Sequence, residues 1–481
     1  MKKSSIWLED INYIPNESLN KNIDVDVLII GGGITGLSIA YHLKDENLKT
    51  CLIERNEIGQ GVTARTTGKL TYLQETIYTK LNSEEKAKLY LESQIDAIKI
   101  VESIIAKNNI KCDYERILSY LFTEDEKYIH KIEQEKELLE KFGIRTKEVD
   151  QLPNNRKIKY GISVDKTAVF HPIKYLIGLK ENIKDKIDIY ENTKIIDIDE
   201  EDNYYICKTD KYIVKAKQIV IATHYPYFLL PFMMPFKCHL EKSYVAAFEH
   251  DNYHFSAINT NQPTISIRYH QDNQKSYQLY LNGSHNLAFK NNDDENFNNL
   301  LKDLKTEPDY IWSNKDLITN DFLPYIGKLK DNMYIATGYN TWGMTNGTIA
   351  GKVISDLIIN KENKYQNLFD PKRSINVSKI INFSLDVVSN IKSFVGSKII
   401  KNKSWYPDNV QFKQIDGEDV AIYIDENKKE HIVYQKCPHM KCNLLFNVEE
   451  KTWDCPCHGS RFDVDGNCIE GPSNYSITYK K

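Results

Sequence analysis

The stretch from Asp24 to Glu54 constrains the fold more than any other part of this 481-residue chain. Asp24-Val25-Asp26-Val27-Leu28-Ile29-Ile30 has the composition of a buried strand, Leu37 to Lys44 reads as a helix, and Lys49-Thr50-Cys51-Leu52-Ile53-Glu54 reads as a second strand. Between the first strand and the helix lies Gly31-Gly32-Gly33-Ile34-Thr35-Gly36. In that context Gly31 permits a tight turn, Gly33 lets a pyrophosphate approach the backbone, and Gly36 lets helix and strand pack closely. The helix N-terminus then faces the phosphates. Glu54 follows Gly36 by 18 positions. A carboxylate there accepts hydrogen bonds from a ribose 2′-OH and repels a 2′-phosphate, which argues against NADP. The fold class is therefore α/β, with a Rossmann-type dinucleotide-binding domain.

A second glycine cluster bears on which dinucleotide is bound. Asn332-Met333-Tyr334-Ile335-Ala336-Thr337 reads as a strand, Gly338-Tyr339-Asn340-Thr341-Trp342-Gly343-Met344-Thr345-Asn346-Gly347 as a turn, and the residues to about Asn360 as a helix. A helix N-terminus brought beside the same cofactor stabilises negative charge on a reduced flavin, which favours FAD over NAD. The bland alternative is a turn whose small residues serve packing. Elsewhere, residues 80–145 read as charged helices and 190–223 as a strand meander ending in Ala222-Thr223. Residues 240–285 alternate as an antiparallel sheet does, and 290–305 read as a solvated helix or loop.

The last fifty residues contain Cys437-Pro438-His439, then fifteen residues, then Cys455-Pro456-Cys457-His458-Gly459-Ser460. Each arm offers one Cys and one His. This is the ligand set of a [2Fe–2S] centre in which two His replace two Cys on one iron. Structural Zn²⁺ is the alternative use of such residues, and the Gly459-Ser460 and Gly471-Pro472 sequences favour iron–sulfur. Nine cysteines, four of them within Cys437–Cys457, point to metal binding before a disulfide framework.

At these motifs the chain resembles known families. The Gly31–Glu54 unit, the Gly59-Gln60-Gly61-Val62-Thr63-Ala64-Arg65-Thr66-Thr67-Gly68 loop, and Asp321-Phe322-Leu323-Pro324-Tyr325-Ile326-Gly327 with Gly338–Gly351 resemble the D-amino-acid oxidase and glycine oxidase class of flavoproteins. The resemblance implies FAD, held by Gly31, Gly33, Gly36, Glu54, Arg55, Thr63, Ala64, Thr66, Thr67, Gly68, Ala222, Thr223, Gly338, Gly343, Met344 and Thr345. Residues 338–347 contain no Cys, so the expectation is non-covalent FAD. The C-terminal arms resemble a Rieske domain, which is small and all-β. That implies Cys437 and Cys455 on one iron, His439 and His458 on the other, and a loop-tying disulfide between Cys442 and Cys457. Lys441 stands where the family motif usually has Gly. Phe462 stands where higher-potential members carry a Tyr that bonds a ligand sulfur, while Ser460 is retained. A potential below that of the respiratory members is expected.

The expected organisation is a flavin domain over 1–370, a helical linker over 371–403 and a Rieske domain over 404–481. Within the first, FAD binding falls to about 24–80, 190–240 and 310–370, and an α+β substrate subdomain to about 81–189 and 241–309. For an amino-acid substrate an Arg or Lys should clamp the carboxylate. Arg268 is the first candidate, with Tyr244 and His285 behind it, and His171 as a residue that shapes the pocket. The expected activity is dehydrogenation of a C–N bond of an amine or amino acid, with electrons leaving through the cluster to an external acceptor, protein or quinone-like. The alternatives are a cluster-fed reductase or hydroxylase, and a non-enzymatic electron-transfer or redox-sensing protein. A net charge of −4 implies no attraction to nucleic acid. The N-terminus lacks a signal-peptide core, and the apolar run Ile375–Ile400 is broken by Lys379, Asn382, Asp386 and Lys392. A cytoplasmic protein without a transmembrane segment is expected.

Overall fold

A computed structural model describes the chain except residues 10, 227–236, 272–274, 287–292, 305, 374–408, 440, 449, 457–458, 472, 474 and 481. Three β-structures organise it. The first is an eight-stranded sheet whose main path runs Tyr325–Lys330, Met333–Thr337, Ile213–Ile221, Ile23–Ile30, Thr50–Ile53 and Asp188–Tyr190. Its four central pairings are parallel. Val27, Leu28, Ile29 and Ile30 are all buried because helices cover one face and the meander the other, so the strand has no polar alternation. The helix Ile34–Leu43 begins three residues before the sequence-based expectation. It is buried nearly all round, between this sheet and the helix Gly343–Ile358. Small residues make that approach possible: a Cβ on Gly351 would lie 2.4 Å from the Cβ of Ser38, and one on Gly347 would lie 2.7 Å from Ile34.

The second sheet has nine strands, ordered Tyr310–Thr319, Cys238–Glu249, Ser276–Asn286, Ser266–Gln271, Phe255–Asn259, Glu115–Thr123, Lys157–Val169 and Lys69–Leu70, with Lys147–Gln151 beside Lys157–Val169. One expectation needs correcting here. Residues 80–145 are not continuously helical. The helices Glu84–Asn108 and Ile129–Lys141 flank the strand Glu115–Thr123, which pairs parallel with Phe255–Asn259 and antiparallel with Lys157–Val169. It holds Ile117, Tyr120, Phe122 and Thr123, but this short run sits between two charged helices, and only the distant partners select the strand. Tyr310–Thr319, grouped by sequence with FAD binding, pairs along its length with Cys238–Glu249 and belongs to the second sheet.

The third unit is the C-terminal β domain. A meander of Val410–Ile415, Glu418–Ile424 and Glu430–Tyr434 turns first through Asp416-Gly417, both with positive φ, as a tight hairpin requires. Four short strands follow: Leu445–Asn447, Thr452–Asp454, Arg461–Phe462 and Cys468–Glu470. Trp453, Phe462, Tyr423, Cys437 and Cys455 share its core. The expected linker helix lies outside the described residues, apart from its first three positions. No helix among the described residues is long and apolar enough to cross a membrane.

This domain docks on the second sheet through charged groups. Lys242, fully buried, approaches Asp454 at 3.4 Å and Glu450 at 4.0 Å. Glu450 accepts from the Ser313 hydroxyl at 2.9 Å and from its backbone N–H at 3.2 Å. Arg461 pairs with Asp454, Glu450 and Glu470 from within its own domain. Desolvation offsets much of what such a buried network gains, so its main effect is to set one docking register.

Candidate functional site

A cavity opens at the carboxyl ends of the parallel strands. Gly31, at φ +114°, admits no side chain: a Cβ there would stand 2.5 Å from the Ala222 carbonyl. Gly36 packs more tightly still, with its Cβ position 1.9 Å from the Gly31 carbonyl. The helix Ile34–Leu43 has no side-chain cap at Gly33, so its first N–H groups are open to a ligand, and Ile34 N–H is shared with the Thr63 hydroxyl at 3.2 Å. Glu54 sits at the far end, its carboxylate accepting from Gly32 N–H (2.6 Å) and Asn56 N–H (2.9 Å) with lone pairs to spare. At the other end the uncapped helix Gly343–Ile358 contributes Gly343 and Met344, and Tyr339 is tied to Thr35 by a 2.8 Å hydrogen bond. A narrow cavity with a phosphate-sized cradle, a carboxylate at one end and a second helix N-terminus at the other fits an FAD.

Ten of the predicted cofactor residues line this cavity: Gly31, Gly33, Glu54, Arg55, Thr63, Thr66, Ala222, Thr223, Gly343 and Met344. Six do not, and each has another role. Gly36 serves helix–strand packing. Ala64 is buried with Trp7, Ile173 and Trp312. The Thr67 and Gly68 carbonyls accept from Arg268 at 2.5 and 3.1 Å. Gly338, at φ +72°, faces Thr319, and the Thr345 hydroxyl accepts from Gln74. Sequence reasoning missed His224, Tyr225, Asn314, Asp316, Tyr339 and Thr341 on the walls, and Ile469, Glu470 and Gly471 from the C-terminal domain. His224 and Tyr225, directly after Ala222-Thr223, and Tyr339 and Thr341, inside the second glycine cluster, carried a signal that could have found them.

The substrate candidates lie away from this cavity. Arg268 is wholly buried and stacks on Trp7 at 4.7 Å, and it does not reach the cavity. Burial pushes its guanidinium down to about 9. It acts on the loop: Trp312 donates to the Arg65 carbonyl at 3.0 Å, Trp7 to Thr66 at 2.6 Å, and Arg268 to Thr67 and Gly68. Four successive carbonyls are thus held by buried donors. Tyr244, buried in the core against the second sheet, stacks at 5.8 Å on the half-buried His285, and neither lines the cavity. His171 caps the helix Pro172–Glu181 and packs edge-on against Trp7, and burial lowers its imidazole to about 3.

Cys437 of the first arm and Cys455 of the second lie side by side. Cys437 and Cys455 are buried, and the Cys455 sulfur beside it, with burial, holds the Cys437 thiol far above its usual range. The arms have similar turns: Lys441 N–H donates to the Cys437 carbonyl, and Gly459 N–H to that of Cys455, at 2.8 and 2.9 Å. Lys441 and Gly459 both have positive φ, which explains why a Gly is usual at the first of them. The Ser460 hydroxyl hydrogen-bonds Cys437 and accepts from Ser473 N–H. His439 is half-buried in the first arm. His458 and Cys457 lie outside the described residues, and among the described residues no group of three or more His, Cys, Asp or Glu is placed to hold a metal ion. Cys442 is buried. Two soft thiolates side by side, with a His in the same turn, fit a cluster better than a hard cation.

A dinucleotide cradle opening between two sheets, joined to a small β domain with paired thiol and imidazole arms, defines a flavoprotein oxidoreductase with an iron–sulfur domain. The chain belongs to the FAD dependent oxidoreductase (DAO) family, matched over residues 26–357, and carries a Rieske [2Fe-2S] domain, matched over 397–479. It therefore binds FAD and a [2Fe–2S] cluster. It is 32% identical over 97% of its length, and 95% of the relative's, to YhfW of Bacillus subtilis (strain 168), whose name describes a Rieske 2Fe-2S iron-sulfur protein. It is 26% identical to gamma-glutamylputrescine oxidoreductase of Escherichia coli (strain K12), over 74% of this chain and 88% of that one. Its fold matches the crystal structure of glycine oxidase from Geobacillus kaustophilus with a TM-score of 0.63 at 17% identity, over 74% of this chain and all of that one.

Proposed function

We propose that the protein oxidises a C–N bond of an amine or amino acid and delivers the electrons through its cluster to an external acceptor, protein or quinone-like. When bound, FAD supplies a two-electron acceptor and the cluster a one-electron carrier. One observation carries the direct link. Lys315 donates to the Gly459 carbonyl, in the second cluster arm, at 2.8 Å, while its neighbours Asn314 and Asp316 line the dinucleotide cavity. An oxidase that hands electrons to O₂ needs no such contact. The nitrogen-compound substrate class is supported by the gamma-glutamylputrescine oxidoreductase and glycine oxidase named above.

The residues divide the work. Gly31, Gly33 and the two open helix N-termini hold the dinucleotide, Glu54 the ribose, and the Arg65–Gly68 carbonyls, held by Trp312, Trp7 and Arg268, shape the flavin side. Cys437 and Cys455 bind one iron, His439 and His458 the other. Cys442 pairs with Cys457, clamping the arms, which mass spectrometry after alkylation tests directly. A cytoplasmic location and the domain boundaries near 370 and 404 belong to the same reading.

Anaerobic mixing with a panel of amines and amino acids is the test. Bleaching of the flavin by at least one compound, followed by the EPR signal of a reduced Rieske cluster, is expected. Bleaching without cluster reduction would remove the exit role. Bleaching only when the cluster is reduced by an outside donor would reverse the direction of flow.

A further inference from the structure

We infer that Cys468–Gly471 of the C-terminal domain forms part of the FAD site, closing its Glu54 end, so that FAD binding and docking of the cluster domain reinforce each other. Ile469, Glu470 and Gly471 line the cavity together with Glu54, Arg55 and Asn56. The Ile469 carbonyl accepts from Arg55 Nη2 at 3.0 Å and from Asn56 Nδ2 at 3.3 Å. Arg55 Nη1 also points at the Cys468 sulfur, 3.8 Å away. Both donors directly follow Glu54, the carboxylate positioned for a ribose.

The same segment is held on the opposite wall. The Glu470 carboxylate lies 3.6 Å from Arg65, which ends the Val62–Arg65 turn after Thr63. It also lies 3.9 Å from Arg461 in its own domain. The strand therefore crosses from the Glu54–Asn56 side of the cavity to the Val62–Thr66 side. An extended dinucleotide under it has one wall made by a different domain. Arg55 is thereby engaged with a backbone carbonyl, in the position from which an Arg would otherwise meet a 2′-phosphate.

The consequence is thermodynamic. A ligand whose site is complete only in the docked state binds that state more tightly, and docking tightens the ligand by the same factor. Loss of FAD should loosen the cluster domain, and forced undocking should release FAD. The coupling ensures that a cluster docked in its electron-receiving position accompanies a loaded flavin site.

Two measurements on the full-length, cluster-containing protein test this. The first is hydrogen exchange in the FAD-free and FAD-loaded states. Peptides covering 464–471 should exchange about tenfold more slowly with FAD, while Val410–Ile415, in the same domain but away from the cavity, should not change. The second uses Glu450→Lys, which sets a like charge against Lys242 at the interface without touching the cavity. It should raise the FAD dissociation constant at least about tenfold, read by flavin fluorescence, with the cluster EPR spectrum intact. Unchanged exchange in 464–471 overturns the inference. So does a Glu450→Lys protein that small-angle scattering shows undocked but that binds FAD within about twofold of the parent. If Glu450→Lys loses its cluster, the exchange experiment decides alone.

Discussion

Lys315 Nζ and the Gly459 carbonyl meet at 2.8 Å, joining a strand of the flavin domain's second sheet to the arm of the C-terminal domain that begins at Cys455. Lys315 is also 3.9 Å from Asp454, and burial lowers its ammonium to about 8. A buried lysine is costly in this position unless the partner domain supplies its acceptors. The flavin domain alone would leave it without them.

Lys315→Met should therefore weaken docking by about 1.5–3 kcal/mol, the scale of a hydrogen bond from a charged donor. Stopped-flow mixing with a substrate should show cluster reduction slowed by roughly tenfold or more, with flavin bleaching much less affected. Equal slowing of both phases would place Lys315 in the flavin's own chemistry.

The cavity carboxyl Asp316 predicts a pH dependence. Burial and the neighbouring Glu241 raise it to about 7, Asn314 donating to it opposes the shift, and Glu470 of the docked domain adds to it. Because the folded state holds this proton above the ordinary carboxyl range, stability from it is complete below about pH 4 and is lost as pH rises through 7. Glu135, raised to about 7 by burial at the helix Ile77–Lys80, acts in the same window. Asp316→Asn should remove part of the decline in urea-unfolding stability of the FAD-free protein between pH 5 and 7 (roughly the span between the two pKa values). An unchanged slope would show that Asp316 is ionised throughout.

The cluster potential should follow the hydrogen bonds to sulfur. Ser460 bonds Cys437, whereas Phe462, buried beside Cys437 and Cys455, has nothing to donate. Losing one such bond, about 1 kcal/mol, corresponds to about 40 mV for a one-electron couple. In EPR-monitored titrations Ser460→Ala should lie lower by about that much and Phe462→Tyr higher. The reverse order would contradict the geometry.

Lys180 and Glu191 form a buried pair at 2.9 Å. Glu191 also accepts from the Tyr13 hydroxyl, Asn16 N–H and Ile58 N–H, so it ties the N-terminal segment to the turn beside the cavity. Lys180→Met leaves that carboxylate without its cation and should cost about 3–5 kcal/mol in chemical denaturation. Since the pair is enclosed, added salt should change this loss little.

The dinucleotide cradle was legible because backbone geometry leaves little choice there: only glycine fits at Gly31 and Gly36, and a carboxylate at Glu54 has one obvious partner. The cluster arms were legible for a similar reason, since two Cys and two His at short spacings have few other uses. Arg268 was misread because a guanidinium serves a substrate carboxylate and a backbone carbonyl equally well, and only the placement of Trp7 and the Thr66–Gly68 loop assigns it to the loop. The strand Glu115–Thr123 went unseen because its partners lie more than thirty residues away at Lys157–Val169 and farther still at Phe255–Asn259.

Local sequence alone thus determined the cofactors, since each is held mainly by groups close together in the chain. Tertiary structure decided how the two centres relate. Lys242, Ser313 and Lys315 come from one domain and Glu450, Asp454 and Gly459 from another, more than 130 positions apart. No periodicity or spacing encodes that meeting. It follows from buried charges that must find partners, and those partners bring Ile469–Gly471 to the mouth of the FAD cavity.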